Sequence, residues 1–163
     1  MSSNRKSTDH HLGALEDAIE LALTAHRGQV YPVPEREPYV LHLFRVMLAV
    51  DSAPARMAAV LHDVLEDTTM TADDLLNSGV SRTVVDAVVA LTHCPEDSYD
   101  EYIERVADNE LAREVKLADL ADNLANNESL PRTPDVVARI NRYKRAMRRL
   151  TSADGQAGRR RPL

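Results

Sequence analysis

Apolar residues recur every three or four positions along most of the chain, which is the spacing of one buried face of an α-helix. The first such helix covers residues 9–27, with Asp9 as its N-cap and Leu12, Leu15 and Ile19 on its apolar face. The same spacing predicts further helices over 39–50, 54–67, 72–78, 81–91, 98–108, 109–127 and 134–150. The pattern therefore predicts an all-α, single-domain helical bundle of about seven or eight helices.

Turn-forming residues separate the predicted helices. Gly28 is placed to end the first one, and three prolines make 29–38 a loop. Thr71 followed by Asp74 resembles a capping box at the start of a short helix. The valines of 81–91 also suit a strand, but their spacing is helical and no partner strand is evident.

Length and composition bound the domain organisation. The chain has 163 residues without an internal repeat, which suits one domain over 9–150. Residues 1–8 are polar and are expected to be a disordered lead, and 151–163 a flexible basic tail. Only 4% of the residues are aromatic and none is Trp, so the core must consist of small and aliphatic side chains, which favours packed helices.

Charge and cysteine content limit the functions and the cell compartments that fit this sequence. The net charge of −6 argues against a general nucleic-acid binder, and an acidic protein that binds phosphate needs a cation to bridge the two. The single cysteine, Cys94, excludes an intrachain disulfide and fits a reducing compartment. The N-terminal residues lack the apolar run of a signal peptide, and no segment approaches the length of a membrane-spanning helix, so we expect a cytoplasmic protein without a membrane partner. Whether it forms a homo-oligomer is left open.

An unusual group of polar residues interrupts the apolar helix 54–67. His62, Asp63, Glu66 and Asp67 crowd three carboxylates and one imidazole around one turn. Crowded negative charge raises carboxylate pKa values unless a cation is present, and divalent metals accept both nitrogen and oxygen ligands. The alternative is a solvated polar stripe, but the apolar neighbours leave little room for one. This segment therefore predicts a metal site.

Two further segments contain candidate ligands. In VKLADLADNL, Asp119 and Asn123 share one helix face, and a buried Asp is unusual unless it is paired or binds a metal. The alternative is a surface ion pair between Asp119 and Lys116. His42 opens a helix among apolar residues, where a lone histidine is often a satisfied core residue. His26 is interpreted as a residue that caps the C-terminus of the first helix.

The segments PYVLHLF, LHDVLEDT and VKLADLADN, in this order and on helices, together resemble the HD superfamily. In particular they resemble the hydrolase domain of the RelA/SpoT family and its small stand-alone relatives. The resemblance covers 15–126 and includes AHRGQ at the end of the first helix. It implies an HD-type helical fold and a Mn²⁺-dependent hydrolase of guanosine 3′-diphosphates, the alarmones. Ligands of mixed His and Asp type also admit Fe, Co, Ni or Zn.

The resemblance also implies roles for individual residues. The metal ligands it implies are His42, His62, Asp63 and Asp119. Glu66 and Asp67 match the acidic pair that orients and activates the attacking water, and Asn123 matches a substrate contact. Lys116 and Arg36 are candidates for contact with substrate phosphate.

One segment departs from the alarmone-hydrolase pattern. Those enzymes have a basic Arg-Lys-Ser type segment where this chain has VYPVPERE, in which Arg36 is the only cation. We therefore expect a phosphohydrolase that acts on a phosphate or pyrophosphate group of a nucleotide, with alarmones as the first candidates. The alternatives are a nucleotide phosphomonoesterase or phosphodiesterase, and a non-catalytic module that binds metal and nucleotide. The complete Glu66–Asp67 pair argues against the last, since binding alone needs no acid pair.

Overall fold

A computed structural model describes residues 3–31 and 36–157, with side chains over 14–31 and 36–152. The helices are α1 (Ser3–Ala25), α2 (Val40–Leu48), α3 (Ala53–Leu61), α4 (Val64–Asp67), α5 (Ala72–Asn77), α6 (Arg82–Leu91), α7 (Tyr99–Asp108), α8 (Glu110–Glu128) and α9 (Pro134–Ala157). Two short strands, β1 (Val30–Tyr31) and β2 (Glu37–Pro38), form an antiparallel pair. The predicted all-α bundle is confirmed. None of the helices in the described ranges is both long and apolar enough to cross a membrane.

Helix α3 lies at the centre of the bundle and packs against α1, α2, α6 and α8. Its sequence, APARMAAVL, is rich in alanine, and small side chains let neighbouring helices approach closely. Ala58, Ala59, Val60 and Leu61 are all fully buried. Burial of one such leucine contributes about 1.5–3 kcal/mol to folding. The polar residues that follow α3 are therefore held at the end of a buried helix at the centre of the bundle.

Hydrogen-bonding caps fix the starts of the surrounding helices. The capping box predicted at Thr71 and Asp74 is confirmed, and Ser98 and Glu101 form a second one at the start of α7. Gly28 follows α1 with a φ of +82°, a left-handed conformation that L side chains rarely adopt. The predicted helix stop at this position is therefore confirmed.

Removal of the Ser98 hydroxyl should weaken the start of α7. This hydroxyl accepts a hydrogen bond from the Glu101 N–H, 3.3 Å away. Ser98→Ala is expected to lower the free energy of unfolding by about 1 kcal/mol, measured by urea denaturation. Ser152→Ala is the matched control, because this exposed serine lies inside α9 and its hydroxyl only donates to the Arg148 carbonyl. Equal stabilities for the two variants would contradict the assignment of the cap.

The helix predicted over 54–67 is broken in the structure. Helix α3 ends at Leu61, and Asp63 has φ −102° and ψ 0°, outside the helical region, before α4 begins. Adjacent side chains of an unbroken helix point about 100° apart. The break instead lets His62 and Asp63 approach each other, so that Asp63 Oδ2 lies 2.9 Å from His62 Nε2. It also raises the number of described helices to nine, above the seven or eight expected.

Three other boundaries differ from the prediction. Strands β1 and β2 lie inside the predicted loop 29–38, because two-residue strands are too short to show an alternating pattern. Helix α1 begins at Ser3 rather than at Asp9, and α9 continues to Ala157 rather than ending near Leu150. Apolar spacing detects only the packed part of a helix, and polar turns beyond it leave no such signal. Residues 1–2, 32–35 and 158–163, which belong to the predicted lead, loop and tail, lie outside the described residues.

Candidate metal centre

Four side chains from different parts of the chain meet beside the end of α3. Asp119 Oδ1, from α8, lies 3.3 Å from His42 Nε2 and 3.7 Å from His62 Nε2. Asp63 Oδ2 lies 2.9 Å from His62 Nε2 and 3.9 Å from His42 Nε2. One ligand atom each of His42, His62 and Asp119 lies within 4.8 Å of the other two, a spacing that one ion could share, and Asp63 lies beside this group of three. The structure thus brings together all four residues that the sequence singled out as ligands.

Both imidazoles are oriented through their Nδ1 atoms. His62 Nδ1 lies 2.7 Å from the Ala59 carbonyl oxygen, and His42 Nδ1 lies 2.7 Å from Asp122 Oδ2. These partners are acceptors, so we assign the proton to Nδ1 and leave the Nε2 lone pairs facing the carboxylates. The buried Nε2 of His62 makes no hydrogen bond of acceptable geometry, although Asp63 Oδ2 lies 2.9 Å from it. Imidazole nitrogens held in this way, beside carboxylate oxygens, fit a divalent cation.

The electrostatics of the cluster favour positive charge at its centre. Burial by itself would lower the pKa of His62, but the Asp63 and Asp119 carboxylates outweigh burial and raise that pKa well above its usual value. Burial would raise the pKa of Asp119, but the Lys116 ammonium and the two imidazoles hold it well below its usual value. The cluster therefore attracts either protons or a metal ion, and the two compete for the same nitrogen atoms.

Asp122 is a functional candidate that the sequence interpretation missed. One of its carboxylate oxygens accepts from His42 Nδ1, and the other lies 2.6 Å from Arg45 Nε. Arg45 in turn pairs with Glu37 of β2 at 2.7 Å. A carboxylate behind a ligating histidine fixes the ring and raises its basicity. The signal was present, since Asp122 stands three residues after Asp119 in KLADLADN.

Replacement of Asp122 by Asn should weaken metal binding without abolishing it. The amide no longer supplies the negative charge that orients and polarises His42, and loss of such an outer contact costs about 10–100-fold in metal affinity. The measurement is a competition titration of Mn²⁺ against a chelating dye. Asp86→Asn, at an exposed position on α6, is the matched control. An affinity equal to that of the control would show that Asp122 has no part in the site.

The acidic pair lies beside this cluster, at a cleft of about 400 Å³. Glu66 Oε2 accepts a hydrogen bond from the His93 N–H at 2.9 Å. The Tyr39 hydroxyl donates to Asp63 Oδ2 at 2.6 Å and lies 3.3 Å from Asp67 Oδ2. Burial, together with the Asp63 carboxylate, raises the pKa of both Glu66 and Asp67. A carboxylate with a raised pKa is suited to exchange a proton near neutral pH.

The three residues predicted to contact the substrate do not all lie at the cleft. Lys116 Nζ pairs with Asp119 Oδ2 at 2.8 Å, so the ion pair considered in the sequence is present, but it is almost buried rather than at the surface. Asn123 lines the cleft, donates to Asp119 and accepts from the Tyr31 hydroxyl at 2.6 Å. Arg36 is exposed and is not among the residues that line the cleft. The substrate roles of Asn123 and Lys116 stay predictions.

His26 does not cap α1 as predicted. Its side chain is 1% exposed and stacks on Tyr39, with ring centres 5.2 Å apart. Its Nδ1 lies 2.7 Å from Gln29 Oε1, and Gln29 Nε2 donates to the Asp67 carbonyl. The imidazole points into the protein interior, where it packs against the aromatic ring of Tyr39. The segment AHRGQ therefore contacts, through Gln29, the segment that contains Glu66 and Asp67. This contact joins residues far apart in the chain, so no local sequence pattern predicts it.

Comparisons with known proteins agree with this geometry at the level of the fold. No protein-family model matches the chain. A solved structure of a metazoan ortholog of SpoT, described as hydrolysing ppGpp and acting in starvation responses, is similar with a TM-score of 0.66. The likeness covers 89% of this chain and 96% of that one, at 23% sequence identity. The chain therefore shares the overall helical fold of this SpoT ortholog, which is the fold that its three motifs predicted.

Proposed function

We propose that this protein is a metal-dependent phosphohydrolase that removes a phosphate or pyrophosphate group from a nucleotide, with a guanosine 3′-diphosphate alarmone as the first candidate substrate. The observation that carries the proposal is the convergence of His42, His62, Asp63 and Asp119 beside the Glu66–Asp67 pair. The ppGpp hydrolysis described for the structurally similar SpoT ortholog supports the choice of substrate.

The donor set supports a single divalent ion, with Mn²⁺ as the first candidate and Fe, Co, Ni or Zn as alternatives. Two imidazole nitrogens and two carboxylates would hold it, and mixed nitrogen and oxygen ligands suit all of these metals. A divalent ion bound there supplies Lewis-acid chemistry, because it acidifies water and polarises a phosphoryl oxygen. Lys116 offsets part of the negative charge of Asp119 and fixes the direction of its carboxylate.

The acidic pair would handle the protons of the reaction. In hydrolysis of a 3′-diphosphate, a water oxygen forms a bond to phosphorus, the bond from phosphorus to the ribose 3′ oxygen breaks, and pyrophosphate leaves. Glu66 is suited to take the water proton, because the His93 N–H holds Oε2 in place and leaves Oε1 free to act. The ribose 3′ oxygen is the leaving group, and the proton that Glu66 took from water would pass to it as its bond to phosphorus breaks. Tyr39 holds Asp67 and Asp63 in fixed relative positions.

The test is a substrate panel with purified protein and Mn²⁺. It includes ppGpp, nucleoside mono-, di- and triphosphates, cyclic nucleotides and NADPH, and products are separated by ion-exchange chromatography. Release of pyrophosphate from ppGpp is the expected result, and it should disappear after chelation and return with added Mn²⁺. Release of phosphate from monophosphates or opening of cyclic nucleotides would instead favour the phosphomonoesterase or phosphodiesterase alternative. Tight nucleotide binding without any product would favour a binding module and overturn the proposal.

A further inference from the structure

The connection between α6 and α7, residues 92–98, provides the hydrogen bond that holds the proposed base. The His93 N–H in this connection donates to Glu66 Oε2 at 2.9 Å. No other group in the described part of the chain donates a hydrogen bond to the Glu66 carboxylate. Glu66 itself lies on α4, a helix of only four residues. The direction of this carboxylate therefore depends on the direction of one backbone N–H group.

Arg105, on α7, binds the other side of the same peptide group. Its Nη2 donates to the Thr92 carbonyl oxygen at 2.8 Å, and the Thr92 carbonyl and the His93 N–H belong to one peptide unit. Because a peptide unit is planar, a contact that fixes its C=O also fixes the direction of its N–H. Hydrogen bonds in such a chain also polarise one another. The peptide between Thr92 and His93 thus joins the Arg105 guanidinium to the Glu66 carboxylate.

The guanidinium of Arg105 is itself held in place from two sides. Its Nη1 pairs with the carboxylate of Asp97, near the far end of the same connection. Its central carbon lies 5.6 Å from the ring centre of Tyr102, whose hydroxyl donates to the Leu91 carbonyl at 2.6 Å. Arg105 therefore binds the connection at residues 92 and 97 together, through the planar fork of donors that an arginine has and a lysine lacks.

A contribution to stability does not explain the position of Arg105. The side chains of Arg105 and Asp97 are 35% and 27% exposed, and ion pairs this close to solvent contribute little to the stability of a fold. Arg105 is also not among the residues that line the cleft, whereas His93 and Asp97 are. Its connection to the reaction therefore runs through the backbone of the 92–98 segment.

We propose that Arg105 is a positioning residue for the reaction, because it fixes the peptide between Thr92 and His93 so that the His93 N–H orients the Glu66 carboxylate. This inference rests on the proposed function, in which Glu66 takes the proton of the attacking water. It adds to the site a residue outside the cleft that acts on the base through one peptide group.

The experiment measures kcat and KM for ppGpp at saturating Mn²⁺ in Arg105→Gln, Arg105→Lys and a matched control. The control is Arg149→Gln, which also removes an arginine paired with a carboxylate of α7, in this case Glu104. Arg105→Gln should lower kcat about 10-fold and change KM by less than about twofold, because a misplaced catalytic group slows the chemical step. Arg105→Lys should recover part of this loss, and Arg149→Gln should have no effect.

A double variant separates positioning from stability. Arg105→Gln is also introduced into Glu66→Gln, in which no base remains to be oriented. There it should change kcat by less than about twofold, since both substitutions act on the same contact. A loss of kcat as large as in the unaltered background would show that Arg105 acts by another route, and would overturn the proposal. An unchanged kcat in Arg105→Gln, or a rise in KM alone, would also overturn it.

Amide hydrogen exchange tests the role of Arg105 independently of the reaction. If the unaltered chain hydrolyses no nucleotide of the panel, the proposed function fails, and the orientation of the His93 N–H is then judged by NMR. In Arg105→Gln the His93 amide should exchange about tenfold faster than in the unaltered chain, whereas Arg149→Gln should leave its exchange unchanged. This result would support the contact through the peptide. Equal exchange rates in Arg105→Gln and the control would contradict it.

Discussion

Asp63→Asn is expected to lose both bound divalent metal and hydrolytic activity while remaining folded. The Asp63 carboxylate lies 2.9 Å from His62 Nε2, and the substitution removes its negative charge without changing its shape. Loss of an outer contact costs about 10–100-fold in metal affinity, and loss of Asp63, which we propose as a direct ligand, should cost more. The side chain is 18% exposed, and no Lys or Arg of the described residues pairs with it, so the variant should stay folded.

The measurement combines metal content by mass spectrometry, hydrolysis of ppGpp and thermal unfolding followed by circular dichroism. Asp63 is a better choice than Asp119, whose removal would leave the almost buried Lys116 ammonium without its partner and unfold the protein for another reason. Asp86→Asn again serves as the control at an exposed aspartate. A variant that keeps one metal ion per chain and full activity would remove Asp63 from the ligand set.

The metal cluster was accessible from sequence because its residues break a local rule. His42, His62 and Asp119 each stand between apolar neighbours in the sequence, where a polar side chain needs a reason to be buried, and all three are buried. Once helices were predicted, three such exceptions in the family order indicated one site. Helical periodicity also predicted the bundle, because most of the apolar positions face one core.

Other parts of the site depend on contacts between distant segments, which periodicity does not encode. In the sequence, Asp122 resembles an ordinary aspartate on a helix surface. Only the packing of α2 against α8 places His42 and Arg45 beside it. Arg142 lies in α9, and nothing in the local sequence shows that it lines the cleft beside Tyr99 of α7. The break after Leu61 likewise had no signal, because residues 54–67 contain no internal glycine or proline to announce it.

Glu66→Gln should reduce kcat for ppGpp by about 10²–10⁴-fold, the usual contribution of a general acid or base. Glutamine can still accept a hydrogen bond from the His93 N–H, so the segment around His93 should keep its position. The amide, however, cannot take a proton. Metal content should stay at that of the unaltered chain, because Glu66 is not among the candidate ligands. This separates the variant from Asp63→Asn, in which metal and activity are lost together.

The control is Glu114→Gln, an exposed glutamate of α8 that does not line the cleft. The pH dependence gives a second readout. Burial raises the pKa of Glu66, so the rate of the unaltered chain should fall as the pH decreases through that raised pKa and protonates the base. In Glu66→Gln this acidic limb should disappear from the residual rate. With Mn²⁺ kept saturating at every pH, an acidic limb that persists in the variant, or a kcat within threefold of the control, would assign the proton transfer to Asp67 instead, because Asp67 is the other carboxylate whose pKa the cleft raises.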